Sequence, residues 1–315
     1  MASQDEYPRD IQDALDTFRC EAEQIIGPES PFVKSLTSQK PPDRIYHYTN
    51  DAGLKGILAS GKLWLTDICS LNDPSELKHG FEIAIRELRK MVVGGSPASQ
   101  NFANDLGFVA ERIRRSADLF RPADFFVCSF SLSDDDLGQW RAYADDGRGF
   151  ALEFETAGLE TESAPDSFDL TYDDDKLAAI DRQIIAKILP FTQIPNYKDA
   201  FSIEFMTYAT NAAIYFKHTA YENEKEYRFL ETFSVDANPK VELRYRPYSV
   251  IRYRNFDWRS VAPGALKRIL IGPAADTKKA TRFAQDCLEQ FHPCAKNVQI
   301  DCSLIPYRVF DLRSE

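Results

Sequence analysis

Metal ligands and disulfide partners are scarce in this sequence. Its six cysteines are scattered along 315 residues without a C-x-x-C pair, and it has only four histidines. Structural zinc sites and disulfide-rich scaffolds both need closely spaced cysteine or histidine side chains. We therefore expect reduced, mostly buried thiols and no bound metal.

The sequence also lacks the motifs of several large enzyme classes. It contains no G-x-S-x-G, no P-loop, no G-x-G-x-x-G after a strand and no H-E-x-x-H. Each of these motifs has a physical role, such as cradling phosphates or exposing a nucleophile at a turn. Their absence argues against an elbow hydrolase, a P-loop NTPase, a Rossmann dehydrogenase and a zincin protease.

Long apolar runs and excess positive charge are absent too. No apolar run is long enough to span a bilayer, and the acidic start, MASQDEYPRDIQDALDTF, lacks the apolar core of a secretion signal. The net charge of −11 means that the average surface repels phosphate backbones. We expect a cytoplasmic protein that does not contact membranes and does not bind nucleic acid over its whole surface.

What the sequence does contain is enough apolar material for a substantial core. Apolar residues make up 43% of it and aromatic residues 12%. Apolar positions recur at helical spacing from Pro8 to Ile26, and the next segment, Glu29–Pro42, is rich in Ser, Pro and Lys. No clear linker follows Pro42. The sequence thus predicts an N-terminal helix and linking loop over residues 1–42, packed on the body, and a single α+β domain over residues 43–315.

One stretch near the start of this domain brings a strand, polar side chains and a helix together. Arg44–Thr49 alternates polar and apolar residues with β-branched and aromatic types, which predicts a half-buried strand. Asn50 can cap a helix that runs to Gly61. His47 then lies near a strand end beside a helix N-terminus, where anionic groups bind well. The alternative is a hydrogen-bonded histidine with a purely structural role.

A second charged stretch precedes a later strand. Glu224, Glu226 and Arg228 alternate, so a strand period of two places them on one face, with Tyr227 and Phe229 on the other. Such a face can set a carboxylate against a ribose or a developing cation while the arginine orients it. The alternative is an exposed edge strand that carries a Glu–Arg pair.

A third stretch, Val241–Ser260, mixes arginine with aromatic residues. This composition suits stacking on bases or binding phosphate. The alternative is a hairpin with arginines on its solvent face. Its candidate nucleic-acid contacts are Arg244, Arg246, Arg252 and Arg254.

Taken together, an ordered set of short motifs resembles a widespread family of uncharacterised bacterial domains. The resemblance covers about Arg44 to Arg308. The motifs are YHYT at Tyr46–Thr49, LNDPSE at Leu71–Glu76, CSFS with QWRAY over Cys128–Tyr143, KH with ENEKEYR over Lys217–Arg228, and the late IGP and IPYR.

The YHYT strand followed by a helix also resembles the opening of ADP-ribosyltransferase-like domains. That resemblance implies an α+β fold with a central mixed, split β-sheet and helices packed around it. It implies that His47 binds the nicotinamide ribose of NAD, with Tyr48 and Thr49 beside it. Tyr143 would supply the stacking aromatic ring. Glu226 would be the catalytic carboxylate that binds the ribose 2′-OH.

The same resemblance suggests supporting roles for other residues. Arg141 or Arg228 would bind the pyrophosphate of NAD, and Glu224 would lie beside the cofactor as the first acid of the Glu-x-Glu pair. Ser129 or Ser131 would support the catalytic carboxylate from the neighbouring strand.

The function implied is an NAD-consuming enzyme that transfers ADP-ribose to a macromolecule or hydrolyses NAD, in the manner of a bacterial toxin or phage-defence effector. NAD would be a substrate, and the acceptor is unknown. One alternative is a non-enzymatic module that recognises a nucleotide or nucleic acid through the arginine-rich hairpin. Another is a metal-dependent nuclease that uses Asp73, Glu76 and Glu226.

Overall fold

A ten-stranded mixed sheet organises the chain. The computed structural model describes residues 7–37, 39–71, 76–115, 123–161, 164–194, 198–234 and 237–309. The strands are β1 Arg44–Thr49, β2 Leu63–Asp67, β3 Ala123–Ser131, β4 Phe150–Glu155, β5 Asp166–Asp169, β6 Glu226–Ser234, β7 Glu242–Arg246, β8 Ser249–Phe256, β9 Leu266–Ile271 and β10 Gln299–Cys302.

Eleven α-helices in the described ranges surround this sheet. None of them is both long and apolar enough to cross a membrane. The helices are α1 Arg9–Ile26, α2 Pro31–Thr37, α3 Asp51–Ser60, α4 Glu76–Met91, α5 Pro97–Arg115, α6 Leu137–Tyr143, α7 Thr156–Leu159, α8 Asp174–Ile188, α9 Lys198–Ala213, α10 Trp258–Val261 and α11 Thr277–Phe291.

The sheet divides at β3. One edge of β3 pairs along its whole length with β6. On the other edge, β1 pairs at Ser131, whereas β2 pairs at Phe126 and Val127. The two strands therefore meet β3 at different points along the same edge, and Cys128–Phe130 lie between these points. Among the ten strands of the described ranges, β9 and β10 pair in parallel and the other pairs are antiparallel.

The predicted strand and helix around His47 are confirmed. β1 pairs with β4 over all six of its residues. The Asn50 side chain accepts a hydrogen bond from Gly53 N at 2.8 Å and so caps α3. Gly61 ends the helix with φ of 69°, a left-handed conformation that glycine adopts without strain.

Two layers of helices bury the two faces of the sheet. On one face, α3 and α11 pack apolar side chains such as Leu58 and Leu288 against Leu65, Phe154 and neighbouring residues. On the other side, α1, α4, α5, α8 and α9 form a helical core of their own. A smaller cluster joins that core to the sheet through β3, β5 and β6.

The N-terminal segment differs from its prediction in one respect. α1 packs against α8 and α9, and Arg19 forms an ion pair with Glu204 of α9 at 2.5 Å. A helix, α2, occupies half of the segment for which a loop was expected. Ser30 Oγ accepts a hydrogen bond from Val33 N at 3.2 Å, and Pro31 takes the first helical position. A serine cap followed by proline is a helix start signal that the composition of the segment obscures.

The structure of Glu224–Arg228 also differs in part from its prediction. β6 begins at Glu226, whereas Glu224 ends a 3₁₀ helix over Thr219–Glu224. Lys225 lies between them with φ of 45°. The predicted alternation therefore holds for Glu226 and Arg228 only. The predicted edge-strand alternative does not hold, because β6 lies between β3 and β5 and its first residues are buried.

The cysteines are free, as expected, but most of them are not buried. Cys128 and Cys287 lie in the core, Cys69 and Cys294 are half-buried, and the other two are exposed.

Candidate functional site

A cavity of about 260 Å³ opens where β1 and β2 separate along β3. Its walls come from these three strands together with α6, the start of β6, the second half of β7 and Lys217. Of the residues expected to act together, His47, Tyr143 and Glu226 all line it. They are far apart in the sequence, and the fold brings them to one place.

Glu226 presents a buried carboxylate to this cavity. Its Oε1 accepts hydrogen bonds from Ser129 Oγ at 2.5 Å and from Arg228 Nε at 2.6 Å. Its Oε2 accepts one from Lys217 Nζ at 2.9 Å. The pairing of β3 with β6 sets Ser131 opposite Glu226 and Ser129 opposite Arg228, on one face of the sheet. The support from Ser129 is the contact expected between neighbouring strands.

The charge on Glu226 follows from these partners. Burial alone raises the pKa of a carboxyl group, but the nearby charges of Arg228 and Lys217 lower it. Together with the hydrogen bonds, they hold the pKa of Glu226 at about 2. Glu226 is therefore ionised at neutral pH.

A chain of polar contacts extends from this carboxylate to α6. Lys217 Nζ also donates to Glu224 Oε2 at 2.6 Å, and its side chain is only 5% exposed. Tyr143 OH donates to Glu224 Oε1 at 2.9 Å. Burial and the charge of Glu224 raise the pKa of Tyr143, so its hydroxyl stays protonated. The Tyr143 ring is thereby fixed at the cavity wall.

His47 enters the cavity through the gap between β1 and β2. Its Nδ1 lies 3.3 Å from the carbonyl oxygen of Ser129. Because a carbonyl can only accept, Nδ1 carries the proton and Nε2 is an acceptor in the neutral ring. Burial lowers the pKa of His47 despite that hydrogen bond, so the neutral form predominates at pH 7. The ring also contacts Phe130 at 5.6 Å between centroids.

Tyr48 and Thr49, which were expected to lie beside the cofactor, are placed differently from His47. Tyr48 lines the cavity, but its OH donates to Ser133 O at 2.8 Å and accepts from Asp136 N at 3.2 Å. Its ring packs on Trp140. Tyr48 therefore fixes the start of α6. Thr49 pairs with β4 and is not among the described residues that line the cavity.

Arg141, expected to bind pyrophosphate, lies outside the cavity. It is exposed, and its Nε is 3.8 Å from Asp146 Oδ1. Positions two residues apart on a helix point about 200° apart, so α6 cannot turn both Arg141 and Tyr143 toward the same cavity. Arg228, the other candidate for that role, is 1% exposed and bonded to Glu226.

Two arginines of the predicted hairpin are held in ion pairs away from the cavity. β7 and β8 form that hairpin, as expected. Arg252 forms two hydrogen bonds with Asp124, at 2.8 and 2.7 Å. Arg254 Nε donates to Glu231 Oε2. Their charges are already offset, so the four arginines do not form one basic surface for nucleic acid.

The other two hairpin arginines, Arg244 and Arg246, line the cavity. The guanidinium of Arg244 lies over the Trp64 ring at 4.7 Å and reaches Thr66 Oγ1 at 3.4 Å. The hairpin therefore contributes a cationic wall to the same cavity that holds Glu226.

The nuclease alternative has little support from the described residues. They contain no group of three or more His, Cys, Asp or Glu side chains arranged to hold a metal ion. Asp73 lies outside the described residues, as does the side chain of Glu76.

Lys217 is the main functional residue that sequence reasoning missed. It follows α9, and its backbone N donates to Thr171 O at 3.0 Å, which directs the side chain toward the start of β6. A lysine only seven residues before Glu224 in an aromatic-rich run was the available signal. Nothing in the local pattern shows that the lysine is buried between two carboxylates.

A known family model matches a segment that contains part of this site. Residues 139–229 match the model of a family described as Protein of unknown function (DUF2971). The matched segment contains Tyr143, Lys217, Glu224, Glu226 and Arg228, whereas the strand with His47 and the arginine hairpin lie outside it. Comparison with curated proteins and with solved structures gives no match.

Proposed function

We propose that this protein is an ADP-ribosyltransferase-like enzyme that consumes NAD, either transferring ADP-ribose to a macromolecule or hydrolysing NAD. The observation that carries the proposal is the convergence of His47, Tyr143 and Glu226 on one cavity. The separation of β1 and β2 along β3 supports a split sheet of the ADP-ribosyltransferase type. A role as a bacterial toxin or defence effector belongs to the same proposal.

Cleavage of NAD between the ribose and the nicotinamide mainly requires a carboxylate near the ribose and an aromatic ring beside the nicotinamide. The bond to be broken joins the ribose to a positively charged nicotinamide, which leaves as a neutral molecule and needs no general acid. The ribose develops positive charge as the bond breaks, and a nearby carboxylate stabilises that charge. Glu226 is ionised and lines the cavity, so it suits this role.

His47 and Tyr143 supply the positioning contacts in this scheme. In its neutral tautomer His47 offers Nε2 as an acceptor for a ribose hydroxyl. Tyr143 offers an aromatic ring for the nicotinamide, and its bond to Glu224 limits the motion of that ring. Both contacts orient the ribose toward the carboxylate of Glu226.

The test is nicotinamide release from NAD by the wild type and by Glu226→Gln, with protein and nucleic-acid acceptors from a cell extract present. Glu222→Gln is the matched control. Glu222 is exposed on the 3₁₀ helix before β6, and its replacement by glutamine removes the same single negative charge. We expect release by the wild type and the control, and a loss of at least a hundredfold in Glu226→Gln. Equal release by all three proteins contradicts the proposal.

A further inference from the structure

We propose that Arg244 and Arg246 form a phosphate-binding subsite in this cavity, for the diphosphate of a nucleotide whose ribose lies at Glu226. The position of the ribose rests on the proposed function. The phosphate subsite rests on the hairpin and on the charges of the cavity wall.

The charges of the cavity wall favour an anionic ligand. Lys217 and Arg228 are matched by Glu224 and Glu226, with which they share hydrogen bonds. The two hairpin arginines then leave the described wall with an excess of two positive charges. This excess occurs in a protein whose net charge is −11, so it is opposite in sign to the average surface. A cationic concavity in an acidic protein favours an anionic ligand.

Arg244 and Arg246 have no acidic partner among the described residues. Neither Arg244 nor Arg246 forms an ion pair with a residue in the described ranges, whereas Arg252 and Arg254 on the same hairpin do. Arg244 Nε is buried and has no hydrogen-bond partner among the described residues. Burial and the adjacent charge of Arg246 lower the pKa of Arg244. A phosphate would supply the acceptors and the negative charge that both guanidinium groups lack.

The two arginines are also held in place before a ligand binds. The contact of the Arg244 guanidinium with the Trp64 ring and with Thr66 fixes its plane at the cavity wall. Arg246 is two residues further along β7 and so faces the same side of the strand. Two guanidinium groups on one face can each form paired bonds to phosphate oxygens, which a single lysine cannot do.

The spacing fits a phosphorylated ribose. Thr66 pairs with Val127 of β3, and Ser129 lies two residues further along that strand. With about 3.3 Å per residue and 4.8 Å between strands, Thr66 and Ser129 are roughly 8 Å apart. Arg244 contacts the first of these residues and Glu226 the second. A ribose at Glu226 with its 5′-phosphates toward the hairpin spans such a distance.

The experiment measures anion binding without catalysis. Calorimetric titrations over a series of salt concentrations use ADP and adenosine as probes of the wild type, Arg244→Gln/Arg246→Gln and Arg282→Gln. Arg282 lies exposed on α11 and controls for the loss of positive charge. We expect the wild type and the control to bind ADP at least tenfold more tightly than adenosine. In the double variant ADP binding should fall at least tenfold, with a weaker dependence on salt, while adenosine binding should not change.

Either of two results overturns the subsite: equal ADP affinity in the wild type and the double variant, or a wild type that does not distinguish ADP from adenosine. Melting temperatures within a few degrees of the wild type establish that the variants fold. Loss of ADP binding in the double variant, in a protein that releases no nicotinamide, supports the subsite and contradicts the enzyme proposal. Nicotinamide release with the same KM for NAD in the double variant and the wild type supports the enzyme proposal and contradicts the subsite.

Discussion

His47 and Glu226 are connected through a single residue, Ser129. The carbonyl oxygen of Ser129 accepts the hydrogen bond from His47 Nδ1, and its hydroxyl donates to Glu226 Oε1. The strand that separates β1 from β2 therefore sets the relative position of the two proposed functional groups. The backbone contact fixes the histidine tautomer, and the side-chain contact stabilises the ionised carboxylate.

Replacing Ser129 with alanine separates these two contacts. The carbonyl remains for His47, but Glu226 loses a hydrogen bond to its charged form, which is worth about 1.5–3 kcal/mol. We expect the free energy of urea unfolding at pH 7 to fall by that amount. The control is Thr210→Val, which removes a buried hydrogen bond to the neutral carbonyl of Met206 and should cost about 1 kcal/mol. Equal losses in the two variants contradict a special role for the carboxylate contact.

The pH dependence of stability provides a second prediction for Glu226. Its pKa is lower in the folded protein than in the unfolded chain, so its ionisation stabilises the fold above the unfolded pKa of about 4.3. That contribution is lost as the pH falls toward about 2. The loss is on the order of 3 kcal/mol, because one pKa unit corresponds to about 1.4 kcal/mol.

The measurement is a series of urea unfolding curves from pH 5 to about pH 2 for the wild type and Glu226→Gln. Glu87 also has a lowered pKa and contributes in both proteins, so the difference between the curves isolates Glu226. The variant should show a smaller decline than the wild type. Parallel declines would mean that Glu226 has the same pKa in the folded and unfolded states.

Much of the local structure around the site is predictable from sequence. The alternation of Arg44–Thr49 and the cap at Asn50 are local signals, and they correctly predict β1 and α3. Ser129 and Glu226 are 97 residues apart, and local patterns do not show which strands pair. The resemblance to a known family supplied that pairing as an expectation.

The register of β7 and β8 determines which face of the hairpin each arginine occupies. The two-residue turn Pro247–Tyr248 sets Arg246 opposite Ser249, so Arg252 pairs with Leu243 and lies on the face opposite to Arg244. A shift of one residue would place all four arginines on one face. Tyr248 takes φ of 63°, which tyrosine rarely adopts, so the sequence carries no clear signal for this turn.

Lys217 provides a prediction about the buried charges. Lys217→Met removes the cation between Glu224 and Glu226 and leaves two carboxylates in a poorly solvated site. Breaking a buried ion pair from one side typically costs about 3–5 kcal/mol, and we expect a loss of that size in urea unfolding at pH 7. Lys225→Met, at an exposed position nearby, should stay within about 0.5 kcal/mol of the wild type. Adding Glu224→Gln to Lys217→Met should restore part of the loss, and a strictly additive double variant would contradict the coupling.

The protonation state of His47 leads to the last prediction. If Nε2 accepts a ribose hydroxyl, protonation of the ring converts this acceptor to a donor and weakens NAD binding. The folded-state pKa of His47 is lowered by burial, so this change should come at a pH below the usual imidazole value of about 6.5. The KM for NAD should therefore stay constant from pH 8 to about 6.5 and rise at lower pH. In His47→Gln the amide nitrogen can bond Ser129 O, but no group titrates, so KM should be raised at every pH without the acid rise. An acid rise that persists in His47→Gln would assign the titration to another group, and an unchanged KM at pH 7.5 would remove His47 from the binding site.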